Sequence, residues 1–120
     1  MPEITLRNIT KRWGKFYGVD HLNLDIADNS FITLLGPSGC GKTTTLRILI
    51  GLLEPDEGMI LLDGRDITRA APDDRGMGIV FQNYALWPHM TVYKNIAFGL
   101  ENMKWSKKDI KDKVEELCVL

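Results

Sequence analysis

One run of the chain, Gly36-Pro-Ser-Gly-Cys-Gly-Lys-Thr43, limits its chemistry more sharply than any other. It fills every fixed position of the pattern G-x-x-x-x-G-K-[ST], a loop that wraps phosphate. Phosphate oxygens need convergent donors, and the first N–H groups of a helix are unpaired and point outward. Gly36, Gly39 and Gly41 have no Cβ, so the backbone can curl around an anion. Lys42 adds a mobile positive charge for the β- and γ-phosphates, and the Thr43 hydroxyl is a hard oxygen ligand suited to Mg²⁺. A glycine-rich turn between a core strand and a core helix would explain the glycines. It would not explain Lys42-Thr43 at that offset.

Such a loop must be held between a strand and a helix. Phe31-Ile-Thr-Leu-Leu35 is a continuous apolar run, the pattern of a strand buried on both faces. After the loop, Leu46, Leu49, Ile50 and Leu53 fall at the spacing of one helical face. That helix is expected to stop at Gly51, with Pro55 beyond it. Upstream, Ile4 to about Lys11 alternates as a half-buried strand, and Leu22, Leu24 and Ile26 mark a second. Met59 to Leu62, Asp63-Gly64 and Arg65 to Ile67 predict a hairpin on a tight Asp-Gly turn. Met77 to Phe81 predicts a short apolar strand, and Asn83 to Met90 is irregular. Thr91 is the expected N-cap of a helix to about Leu100. Ser106-Lys-Lys-Asp109 has the form of a capping box before an Ile110, Val114, Leu117 stripe.

The composition excludes several functions. Fifteen basic and sixteen acidic residues leave a net charge of −1 over 120 residues, with no basic stripe for a nucleic acid. Leu46 to Leu53, interrupted by Arg47 and Gly51, is far too short for a membrane span. Met1-Pro-Glu-Ile lacks a basic-then-apolar signal segment, so the chain by itself is expected in the cytoplasm. Cys40 and Cys118 have neither metal spacing nor a disulfide framework. Cys40 lies inside the phosphate loop beside Lys42 and a helix N-terminus, a setting that lowers a thiol pKa.

Hydrolysis of a nucleoside triphosphate calls for an acidic residue at the end of an apolar strand. Ile60-Leu-Leu-Asp63 offers one in form, but Asp63 precedes Gly64, and Asp-Gly is the strongest short hairpin signal. Asp63 is therefore read as a turn residue. The pattern ends at Leu120 within an apolar helical stripe and without a stop signal, as expected of an interrupted domain.

Three segments together resemble the N-terminal portion of an ABC transporter nucleotide-binding subunit, with most similarity to ATPases of the maltose-importer type. They are Leu35 to Arg47, Gly78-Ile-Val-Phe-Gln-Asn-Tyr-Ala-Leu86, and Trp87-Pro-His-Met-Thr-Val-Tyr-Lys-Asn-Ile-Ala-Phe98. The resemblance covers Glu3 to Leu120. It implies an α/β P-loop NTPase fold with an antiparallel β subdomain, truncated at the start of the helical subdomain. Residues 1–82 would form the nucleotide-binding core and β subdomain, and 83–120 the Q-loop and start of the helical subdomain.

The resemblance also implies roles. Trp13 would stack on adenine, which recognises a base without reading its edges. Gly36, Pro37, Ser38, Gly39, Cys40, Gly41, Lys42, Thr43 and Thr44 would hold the phosphates of ATP, with Thr43 on Mg²⁺ and Thr44 near the α-phosphate. Gln82 would contact Mg²⁺ or the attacking water, so that Lys42 and Gln82 are the catalytic candidates in this chain. Tyr84 to Asn102 would receive a transmembrane permease subunit, and a second nucleotide-binding subunit would close a dimer. The assembly would lie on the inner face of the cell membrane, driving import of a solute, expected to be a sugar. His89 is read as a loop residue.

The family's Leu-Ser-Gly-Gly-Gln signature, second acidic motif and switch histidine do not occur in these 120 residues. Lys94 stands where the family usually carries an acid. The isolated chain is therefore expected to hydrolyse ATP at near-background rates. Two other readings stay open: a truncated nucleotide-binding or decoy module, and a small P-loop kinase using Asp63.

Overall fold

The computed structural model describes residues 2–119; Met1, and Leu120 at the end of the apolar pattern, lie outside the described residues. The chain forms two compact units, Met1–Ile79 and Val80–Leu120.

The first unit is built on a four-stranded antiparallel sheet. Its strands are β1 (Ile4–Trp13), β2 (Phe16–Ile26), β3 (Glu57–Leu62) and β4 (Arg65–Asp66), in the order β2-β1-β3-β4. The alternation of Ile4, Leu6 and Leu24, Ile26 fixes the register, with Leu6 opposite Leu24 on one side and Ile60 on the other. The β3–β4 hairpin turns on Asp63-Gly64 with φ of 49° and 78°, both in the left-handed region that a two-residue hairpin turn demands. The Asp63 carboxylate accepts the Glu3 N–H at 2.8 Å, so it serves the turn, as its sequence context indicated.

Helix α1 (Lys42–Ile50) lies against this sheet. Leu6, Ile9, Val19, Ile48, Ile60 and Ile67 form the buried cluster. Of the expected face, Ile50 is buried and Leu49 and Leu53 pack against the cluster, but Leu46 does not take part. Thr45, Ile48 and Ile50 are buried, while Leu46 is exposed. Arg75 accounts for part of the fit. The residue is 4% exposed, and its guanidinium donates to the carbonyls of Ile48, Leu49, Thr68 and Ala70, tying the end of α1 to the segment behind β4.

Two expected strands are absent. Phe31–Leu35 and Met77–Phe81 have no strand structure, and Phe31 and Leu35 are 96% and 88% exposed. A doubly buried strand needs ladder partners on its edges and cover on both faces. The four-stranded sheet is paired within itself, and α1 spends its apolar face on that sheet.

In the second unit, α2 (Val92–Asn102) and α3 (Lys107–Cys118) pack through Ala97, Ile110 and Val114. Both N-caps form as their sequences require: Thr91 Oγ1 accepts the Lys94 N–H and Ser106 Oγ the Asp109 N–H. Leu117, the expected third member of the α3 stripe, is exposed. The irregular stretch before α2 is pinned by Asn95, whose side chain accepts the Trp87 N–H and donates to Trp87, Met90 and Thr91 carbonyls. Among the described residues no helix is long and apolar enough to cross a membrane.

Candidate functional site

Gly41 joins loop to helix. Its φ is 95°, and a Cβ there would lie 2.3 Å from the Gly18 carbonyl oxygen on β2. Only glycine fits this close approach, which seats the start of α1 on the sheet. No side chain caps the helix, and its first turn carries no acid. Gly36 to Cys40 are all exposed. An uncapped, solvent-facing helix N-terminus without a competing carboxylate is a place for an anion.

Lys42 reaches back over the loop. Its ammonium donates to the Gly36 carbonyl, to the Pro37 carbonyl at 3.0 Å, and to Cys40 Sγ at 3.2 Å. The positive charge thus stands over the loop. The same contact pulls the Cys40 thiol below its ordinary pKa, because a hydrogen bond from Lys42 favours the thiolate. Thr43 is exposed on the first turn of α1 and Thr44 is half-buried. The Thr45 hydroxyl turns inward, donating to the Gly41 carbonyl at 2.8 Å.

Trp13 ends β1, and its ring is brought to this corner by the β1–β2 hairpin. A Cβ on Gly18 would fall 2.6 Å from Trp13 Cζ3 and 3.4 Å from Thr44 Cγ2, so ring and helix start converge on one spot. The ring remains 50% exposed. The hairpin is anchored from below. Asp56 accepts the Arg12 N–H at 2.8 Å, and this bond holds the Asp56 carboxyl below its usual range. Sequence reasoning missed Gly18, whose role lies in a side chain it lacks. It also missed Arg75, whose only signal was a charged residue in a short loop.

Gln82 belongs to the second unit, where it is exposed. His89 is an exposed loop residue before the Thr91 cap. Among the described residues no group of three or more His, Cys, Asp or Glu is placed to hold a metal ion. A Mg²⁺ here would be held by phosphate oxygens, water and the Thr43 hydroxyl, the sparse protein coordination this ion tolerates.

A glycine loop on an uncapped helix, with a cation across it and an aromatic ring at its edge, defines an anion site suited to a nucleotide. The comparisons name the class. A family model described as ABC transporter matches residues 19–118. The chain belongs to the ABC transporter family. It is 50% identical over 117 residues to the spermidine/putrescine import ATP-binding protein PotA of Chromobacterium violaceum, a match covering 98% of this chain and 32% of that one. It is 46% identical over 113 residues to the Fe(3+) ions import ATP-binding protein FbpC of Brucella abortus, covering 94% of this chain and 32% of that one. Among solved structures, the ATP-binding cassette MJ0796, a dimer in a post-hydrolysis state bound to ADP and Pi, superposes with a TM-score of 0.80 at 31% identity, over 94% of this chain and 54% of that one. The chain spans about a third of the length of these curated relatives. Both are import proteins, and neither is named for a sugar. The expected resemblance to the maltose-importer type therefore widens to importer ATP-binding proteins in general.

Proposed function

We propose that this chain is the nucleotide-binding part of an ABC importer's ATP-binding subunit, on the cytoplasmic face of the membrane. The observation that carries this reading is the open loop at the uncapped start of α1, with the Lys42 ammonium across it and the Trp13 ring beside Thr44. Gly36 to Gly41 would enclose the phosphates, and Lys42 would leave its own loop carbonyls to neutralise the β- and γ-oxygens. Thr43 would offer its hydroxyl to Mg²⁺, Thr44 would stand near the α-phosphate, and Trp13 would stack on the base. Mg²⁺, when bound with ATP, spreads the charge that develops on the phosphates. Gln82 would sense the γ-phosphate, the role that the resemblance implies for it. We take residues 1–82 as nucleotide-binding core with β subdomain and 83–120 as Q-loop with the first helices of a helical subdomain.

A second subunit and transmembrane permeases would complete the transporter. The exposed Tyr84, Leu86, Trp87 and Tyr93 support the Tyr84–Asn102 stretch as the permease contact. The cargo class follows the relatives only as far as an imported solute. Alone, the chain would bind Mg-nucleotide and turn over at near background.

Cys40 supplies the test. Mg-ATP in the loop shields its thiol, so alkylation of Cys40 should slow as Mg-ATP is added, and the alkylated chain should no longer bind nucleotide. Unchanged labelling at saturating Mg-ATP, or full binding after alkylation, would place the phosphates elsewhere.

A further inference from the structure

Helix α1 carries the glycine loop at its start, and the rotation of α1 about its own axis decides where Lys42 and Thr43 point. Apolar packing leaves that rotation open. At about 100° per residue, Leu46, Ile48, Leu49 and Ile50 are spread around most of the helix circumference. The rotation adopted buries Thr45 to 7% exposure and leaves Leu46 45% exposed. Burial of apolar surface by itself would favour the reverse at these two positions. At its near end α1 meets the sheet through Gly41 against Gly18, a contact between two residues without side chains.

The far end of α1 is held by direction instead. Arg75 Nη1 donates to the Ile48 and Leu49 carbonyls at 3.0 and 2.9 Å. Nη2 donates to the Thr68 carbonyl and Nε to the Ala70 carbonyl, both at 3.0 Å. A planar guanidinium aims such bonds along fixed lines. Two adjacent carbonyls of the last helical turn are thereby keyed to the Thr68–Ala70 segment. Gly51 leaves the room for this, since a Cβ there would lie 2.8 Å from Arg75 Nε. Burial lowers the Arg75 pKa, with no carboxylate among the described residues offsetting it. A buried charge without an opposite charge is costly, and an apolar side chain would close the same space without that cost. What the guanidinium adds is orientation. With nine residues α1 is about 14 Å long, short enough to turn as one body.

We propose that Arg75 is a positioning residue for the phosphate loop: by gripping the far end of α1 it sets the rotation at which Lys42, Thr43 and the first helical N–H groups meet the phosphates of a nucleotide. This rests on the nucleotide reading of the loop and adds to it a residue one helix length away.

The test measures affinity for Mg-ATP, affinity for inorganic triphosphate, and the pH at which Cys40 alkylation rises. It uses this chain and Arg75→Lys, which keeps the charge and loses the fork. Lys42 Nζ lies 3.2 Å from Cys40 Sγ, so that pH reports where the start of α1 holds its lysine. Ile60→Ala, with Ile60→Val as its milder form, removes core packing and keeps the guanidinium bonds. Each variant is first shown to be folded by circular dichroism, in sucrose where burial needs strengthening. Arg75→Lys is expected to lose about tenfold or more in affinity for both ligands, as for one weakened hydrogen bond to a charged group. It is also expected to move the Cys40 rise to higher pH. The Ile60 variants are expected to leave all three quantities unchanged. Either unaltered affinities or an unaltered Cys40 profile in folded Arg75→Lys would overturn the proposal. Equal changes in the Ile60 variants would overturn it too, since lost stability of any kind would then disturb the loop. An Arg75→Lys chain that does not fold would do the same, because the guanidinium would then hold the whole unit. If the parent chain binds neither ligand through Lys42, the nucleotide reading falls and the Cys40 profile alone decides: a shift upholds the grip on the loop, and no shift overturns it.

Discussion

Two apolar stretches of the first unit meet opposite fates. β1 alternates, finds β2 on one edge and β3 on the other, and buries Leu6 and Ile9 to 1% and 0% exposure. Phe31–Leu35 is more apolar still, yet joins no ladder and leaves Phe31 almost wholly in solvent. Hydrophobicity alone does not make a strand. A half-buried strand needs one covered face, which α1 provides through Ile48. A doubly buried strand needs two faces and two edges, and no described residue supplies them.

This contrast can be broken by mutation. Ile9→Ala or Ile60→Ala should each cost about 2–5 kcal/mol in denaturant unfolding, because both sit in the cluster under α1. Phe31→Ala should cost less than about 0.5 kcal/mol. Equal losses would mean that the Phe31 run is packed after all.

Next in size is Arg75→Ala. Four backbone carbonyls lose their donor, two of them at the end of α1, for about 2–3 kcal/mol. Arg75→Lys should not rescue it, since a single ammonium cannot reproduce the planar fork. Full rescue by lysine would show that charge alone is at work.

Thr91→Ala sharpens the comparison from the second unit, where α2 is held by a cap and a small cluster. It should lower stability by about 1 kcal/mol through the lost bond to the Lys94 N–H, measured as a loss of helicity on mild heating.

The smallest effect is a shift in pH dependence. The thiolate is the form that alkylates, and the hydrogen bond from Lys42 holds the Cys40 pKa below its ordinary value. The labelling rate should therefore rise at a lower pH than for a free cysteine thiol. Lys42→Met should move that rise to higher pH.

Much of this arrangement was legible from local chemistry. Asp63-Gly64 announced its hairpin, and Thr91 and Ser106 announced their caps, because each acts on residues within a few positions of itself. The glycine loop leading into α1 was legible for the same reason. The buried face of α1 was legible only in part: Leu49, Ile50 and Leu53 are covered as their spacing predicts, and Leu46 is not. Ile48 rather than Leu46 turns inward because the sheet and the Arg75 clamp set the rotation of the helix, and both lie far away in sequence. Gly18 stayed hidden for a like cause, since its significance arises only when the hairpin brings it to Trp13 and Thr44.

The central claim is that the start of α1 holds the phosphates of a nucleotide through Lys42. Calorimetric titration of Mg-ATP into this chain and into Lys42→Ala tests it most directly. Measurable binding with one site per chain, lost in the variant, is the expected result. Equal binding in both proteins, or none in either, would contradict it.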